Sequence, residues 1–130
     1  MIVLDASVVV EILLRTAGAS RIEERVFGAG EALHAPHLLD VEVAHVVRRY
    51  GLAGELPAAR AAQALDLLTT MPLMRHPHGP MLSRIWALRD NLTAYDAAYV
   101  VLAEGLGATL VTCDARLARA RGHKAHVELV

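Results

Sequence analysis

Cysteine, lysine and long apolar runs are nearly missing from this sequence. It has one cysteine, Cys113, one lysine, Lys124, and no uncharged stretch longer than the one from Gly105 to Cys113. A lone cysteine excludes a disulfide within the chain and fits a reducing compartment. The 105–113 stretch is far shorter than the roughly 20 apolar residues that a membrane-spanning helix requires, so no membrane span is expected. The opening Met1-Ile2-Val3-Leu4 has neither the basic n-region nor the small-residue cleavage site of a signal peptide, which makes a cytoplasmic location the expectation. Excess charge of either sign is also absent. Thirteen basic against fourteen acidic residues leave a net charge of −1, so a polyanion would have to be attracted locally rather than by the molecule as a whole. With lysine so scarce, the other cations are arginines, which suit bidentate phosphate contacts.

What remains is a chain of 130 residues without repeat, linker or low-complexity segment, read as one domain over residues 1–130. At that length folding buries roughly two thirds of the extended surface around one core. Apolar residues make up 55 %, and mean hydropathy is +0.37. Either abundant alanine inflates both figures, or apolar surface is left for a partner to cover.

Strand and helix signals alternate. Ile2–Leu4 is a short, partly β-branched run ending at Asp5, and the apolar segment Val8–Leu14 reads as a helix. Leu33-His34-Ala35 before Pro36 reads as a strand, then a helix from about Leu38 to Tyr50 closes at Gly51. Pro57 opens a helix over Ala58–Thr70. A weak strand at Pro72-Leu73-Met74, a helix at Met81–Arg89 and an apolar helix from Ala94 to Glu104 follow, the last closed by Gly105 or Gly107. Thr109–Thr112 is a clear strand, Asp114–Ala120 a last helix, and His126–Leu129 a final strand. This alternation predicts an α/β fold, a mainly parallel sheet with helices on both faces and right-handed crossovers.

In such a fold, strand ends and helix starts meet at the carboxyl edge, where ligands bind. Asp5 ends the first strand, Asp114 follows the strand 109–112, Asp96 lies in the first turn of the helix beginning near Thr93, and Glu42 in the first or second turn after Pro36. Four carboxylates are thereby predicted at one edge. Each has a plainer reading. Asp5 and Asp114 suit helix N-caps, and Thr93-Ala94-Tyr95-Asp96 has the spacing of a capping box, although aspartate is short for its fourth place. Asp40 competes with Glu42, and the pattern leaves the two at even odds. Ser7 and Thr93 are read first as caps, and second as hydroxyls that could bond a carboxylate or phosphate.

Crowded carboxylates repel: a pair about 4 Å apart costs on the order of 4 kcal/mol at an effective dielectric near 20. Positive helix ends and a divalent cation offset this, and an all-oxygen donor set suits Mg2+ or Mn2+ better than zinc. Such a site performs phosphoryl chemistry. Other signals carry less. His76-Pro77-His78, His123 and His126 match no compact zinc pattern and read as surface histidines. Arg116, Arg119, Arg121 and Lys124 read equally as a nucleic-acid backbone contact or a solvated face. Tyr95 and Tyr99 read as core packing rather than base stacking.

The run Asn91-Leu92-Thr93-Ala94-Tyr95-Asp96-Ala97-Ala98-Tyr99-Val100, the run Leu110-Val111-Thr112-Cys113-Asp114 and the opening Val3-Leu4-Asp5-Ala6-Ser7 together resemble PIN-domain proteins, and within them the VapC toxins of bacterial toxin–antitoxin pairs. The resemblance covers essentially the whole chain. It implies a three-layer α/β/α PIN-like fold and a Mg2+- or Mn2+-dependent endoribonuclease that cleaves structured cellular RNA (tRNA or rRNA) to block translation. It also implies a homodimer and a small antitoxin whose C-terminal segment lies across the active-site groove. By the same resemblance Asp5 and Asp96 are the principal metal ligands, Glu42 (over Asp40) the second acidic position and Asp114 the fourth. No acidic position is missing. Cys113 stands where an ordinary apolar residue is expected. Two competing classes are a phosphoacceptor signalling domain, for which Lys124 lies beyond the last helix and out of place, and a non-catalytic binding module.

Overall fold

A computed structural model describes residues 1–130. Five strands form one sheet: β1 Ile2–Leu4, β2 Leu33–Pro36, β3 Leu73–His76, β4 Thr109–Thr112 and β5 Val127–Leu129. All neighbours pair parallel, in the order β3-β2-β1-β4-β5. The chain first builds outward from β1 through β2 to β3, then returns to the other side of β1 for β4 and β5. The direction of winding therefore reverses between β1 and β4, the kind of switch point at which open α/β sheets hold ligands. Register fixes what meets there, because Leu4 stands beside Val111 and the Asp5 N–H donates to the Val111 carbonyl at 3.0 Å.

Seven helices cover the sheet: α1 Ala6–Leu14, α2 Ala19–Phe27, α3 Leu38–Leu52, α4 Ala58–Thr70, α5 Leu82–Ala87, α6 Ala94–Leu106 and α7 Ala115–Ala118. Helix α1 packs on α2, α3 and α4, while α5 packs on α6, which lies against β1, β2 and β4. The result is the three-layer α/β/α arrangement expected from the alternation. β1 is buried at all three residues, as a central parallel strand covered on both faces must be. Seven consecutive residues of α6, Ala97–Ala103, are buried, and their small or apolar character lets the helix sit tight on the sheet. One contiguous cluster of 33 buried apolar residues forms the core.

Several elements differ from the sequence reading. Helix α2 was not anticipated, although Ala19, Ile22 and Val26 are its buried residues and their spacing marks one helical face. β3 runs to His76, and the expected helix over Met81–Arg89 divides into a 3-10 turn at Gly79–Met81 and the six-residue α5. Helix α4 spans Ala58–Thr70 as expected, with Pro57 as its N-cap. Helix α6 closes at Gly107, whose φ of 61° is the left-handed conformation that glycine adopts without steric cost. No helix is long and apolar enough to cross a membrane.

Candidate active site

Asp5 immediately precedes α1 but does not cap it with its side chain. Its carboxylate turns instead to β4. Oδ2 accepts the Ser7 hydroxyl at 2.6 Å and the Thr112 hydroxyl at 2.8 Å. Ser7 Oγ in turn accepts the Cys113 N–H at 3.0 Å, and Thr112 Oγ1 accepts the Asp114 N–H at 3.0 Å. Two hydroxyls thus stitch the end of β1 to the end of β4 and hold a carboxylate that is only 7 % exposed. Hydrogen bonds to a buried charge are the condition for keeping it there. Thr112, fully buried at the end of β4, is a site residue that the sequence pattern does not single out, because its bond to Asp5 joins positions 107 residues apart. Ser7 is no cap of α1; its hydroxyl bonds a site carboxylate instead.

Glu42, half-buried on α3, accepts the Tyr99 hydroxyl of α6 at 2.9 Å. Tyr99 is buried as expected, and burial, followed by the Glu42 and Asp5 charges, pushes its phenol far up. It therefore stays a donor. Tyr95 departs from expectation, being 64 % exposed rather than packed in the core. Asp40 points elsewhere: both its oxygens take the Arg75 guanidinium, at 2.7 and 2.9 Å. Of the two acids on α3, Glu42 is the one that faces the other carboxylates.

Asp96 sits in the first turn of α6, and its N–H donates to the Thr93 hydroxyl at 3.1 Å, so Thr93 is the cap. No return bond from the Asp96 carboxylate completes a capping box, in keeping with its short side chain. Asp114 does cap: its Oδ1 accepts the N–H groups of Arg116 at 2.8 Å and Leu117 at 3.4 Å. Arg116 also approaches its other oxygen, at 3.5 Å.

Electrostatics shows that these acids sense one another. Burial raises the Asp96 carboxyl first, Asp5 next, and Asp114 further, against an opposing pull from Arg116. Burial likewise raises Glu42, Asp5 and Asp96 add to it, and the Tyr99 bond opposes them. All four carboxylates named from the sequence are therefore coupled through Asp96 or Asp5, with Arg116 the cation that acts on Asp96. No three carboxylate, imidazole or thiol groups meet closely enough to enclose a cation by themselves. The donors are hard oxygens under mutual repulsion, which fits a divalent cation completed by water or phosphate oxygens, the way Mg2+ is commonly held. The histidines form no such set. His34 Nδ1 contacts His76 Nε2 at 2.9 Å, and His78 bonds the backbone of α3, so neither His76 nor His78 is the free surface histidine expected. Burial raises the Cys113 thiol, aided by Glu11, which disfavours the reactive thiolate.

Comparison with known proteins agrees with this geometry. The PIN domain profile matches residues 2–123. Ribonuclease VapC12 of Mycobacterium tuberculosis is 41 % identical over 130 residues, covering 100 % of this chain and 99 % of that one. Ribonuclease VapC1 of the same organism is 43 % identical over 129 residues, covering 98 % and 96 %. This chain belongs to the VapC family of PIN-domain proteins. Two solved structures share its fold. PAE2754 from Pyrobaculum aerophilum superposes with a TM-score of 0.70 at 24 % identity, over 97 % of this chain and 81 % of that one. VapBC2 from Rickettsia felis, solved with a DNA fragment from its promoter, gives 0.69 at 14 % identity over 99 % and 98 %. In this VapC chain the runs that carry the resemblance lie at Val3–Ser7 at the end of β1, Asn91–Val100 at the start of α6, and Leu110–Asp114 at the end of β4.

Proposed function

We propose that this VapC chain is an endoribonuclease, the toxin of a toxin–antitoxin pair, that depends on Mg2+ or Mn2+ and cuts structured cellular RNA (tRNA or rRNA) to inhibit translation. One observation carries the reading: Asp5, Glu42, Asp96 and Asp114 come from four separate segments to the switch point of the sheet, where burial first and the neighbouring acids second raise the carboxyls of Asp96 and Glu42. Asp5 and Asp96 are the metal ligands and Glu42 and Asp114 complete the acidic set. Once bound there, a divalent cation supplies a water of lowered pKa and stabilises charge on the phosphodiester oxygens. The residues themselves do the orienting. Ser7 and Thr112 fix Asp5, Tyr99 keeps Glu42 aimed into the site, and Arg116 offers the nearby positive charge to a phosphate.

The names of the relatives support ribonuclease activity, and the VapBC pair among the structural neighbours supports a small antitoxin as partner. The chain acts as one domain and a homodimer, in the cytoplasm. Induced expression in a bacterium, with and without Asp96→Asn, followed by mapping of RNA ends, tests the proposal. Growth arrest with discrete new ends, absent in the variant, is expected. Equal cutting by both proteins, or full activity of the purified chain in EDTA, overturns it.

A further inference from the structure

Helix α3 carries Glu42 to the acidic edge, yet its N-cap residue, His37, makes no side-chain bond to the helix. The first donors of the helix are taken by chain far downstream. The His76 carbonyl accepts the His37 N–H at 2.8 Å, and His78 Nε2 accepts the Leu38 N–H at 3.0 Å. The His37 ring stands edge-on to the His78 ring, with centroids 6.0 Å apart. Pro77, between the two acceptors, fixes its own φ and stiffens the segment that presents them. His76 is anchored in turn, paired in register with Pro36 and bonded through its ring to buried His34.

Leu38 and Glu42 are one helical turn apart on the same face, and the α-helical ladder bonds the Glu42 N–H to the Leu38 carbonyl. The Leu38 peptide is thus the fixed point from which Glu42 is aimed at Tyr99. We propose that His76-Pro77-His78 is a clasp that positions Glu42, with the His78 ring nitrogen as its decisive contact. The inference rests on the proposed role of Glu42 in the nuclease site. His78 is then a positioning residue. Its Nε2 lone pair is committed to the backbone, with the ring proton on Nδ1, so the nitrogen is not open to a metal or substrate.

The test uses the whole chain, with His78→Ala to remove the acceptor and His78→Gln to return an amide oxygen at the reach of Nε2. Hydrogen exchange is followed at the Leu38 and Glu42 amides, and RNA cleavage is followed in Mn2+. In His78→Ala, exchange at Leu38 should quicken about fivefold, the equivalent of a helix cap of about 1 kcal/mol, and kcat should fall by about threefold or more while KM for RNA holds. His78→Gln should restore both. Unchanged exchange and kcat in His78→Ala, or failure of His78→Gln to restore them, overturns the clasp. A wild-type chain that cuts no RNA overturns the nuclease reading instead, and exchange at Leu38 and Glu42 then decides the clasp independently.

Discussion

Burial and the neighbouring like charges raise the carboxyls of Asp96 and Glu42. A carboxyl with a raised folded-state pKa binds its proton more readily folded than unfolded. Its contribution to stability is therefore fully present below the unfolded value, about 3.9 for aspartate, and is lost as pH rises through the folded value. Asp96→Asn removes that loss together with the proposed chemistry. In chelator the variant and the wild type should melt alike near pH 4, and the variant should become the more stable as pH approaches 7. Saturating Mg2+ or Mn2+ should narrow or reverse the gap by binding the folded wild type. Thermal melts across this pH range, with and without the cation, are the measurement. A wild type more stable than Asp96→Asn at pH 7 in chelator contradicts the reading of Asp96 as a strained ligand. Proteins that trade stability for activity in this way concentrate the strain at the site itself.

Helix α3 carries two acids two residues apart with different partners. Asp40 ties the helix to β3 through Arg75, which also donates to the Leu68 and Leu73 carbonyls. Glu42 turns to α6 through Tyr99. The Asp40–Arg75 pair is partly open to water, which limits its worth to about 1 kcal/mol or less. Asp40→Asn should therefore lower Tm by a few degrees at most and leave metal-dependent cleavage within about threefold of wild type. Glu42→Gln should cost at least about 100-fold in kcat, in the range of losing a general base, while the fold survives. Side-by-side melts and rates decide it, and a reversed order of the two variants would reassign the acidic position to Asp40.

That pair marks the boundary of what the sequence could disclose. β1, α4, α6 and β4 were legible because their signals are local: an apolar run, a proline at the start, a glycine at the end. The carboxyl-edge placement of Asp5, Asp96 and Asp114 followed from topology alone. Periodicity left Asp40 and Glu42 at even odds and only the family resemblance favoured Glu42, because the Arg75 that pairs with Asp40 lies 35 residues away and leaves no trace in the helical pattern. The same limit hid the His78 bond to Leu38 and the Thr112 bond to Asp5. Helix α2 is a different case. Its buried Ala19, Ile22 and Val26 form a readable stripe, set among charged residues and between Gly18 and Gly28. Tyr95 was misplaced because α6 is apolar on nearly every side, so that no helical wheel tells its one open face from the buried ones.

On the scale of the molecule, the near-neutral charge becomes a spatial statement. Arg25, Arg75 and Arg84 are each spent in a two-pronged pair with Glu128, Asp40 and Glu104. Beside the acidic site the positive charge acting on Asp96 is Arg116, an exposed side chain already leaning on Asp114. RNA brought to this edge meets negative charge first, so its binding should depend on the divalent cation more than on the release of counterions by a basic face. Each phosphate neutralised by a cationic side chain contributes a slope of about −0.7 to −0.9 in log K against log salt. At fixed Mn2+, the apparent affinity for RNA should thus fall with monovalent salt at a slope of about −1 to −3, reflecting only one to three such contacts. Arg116→Ala should flatten that slope by about one unit and leave the pattern of RNA ends unchanged. A slope steeper than about −5 would contradict a local attraction and would mean that the assembled molecule presents a basic surface which one chain does not.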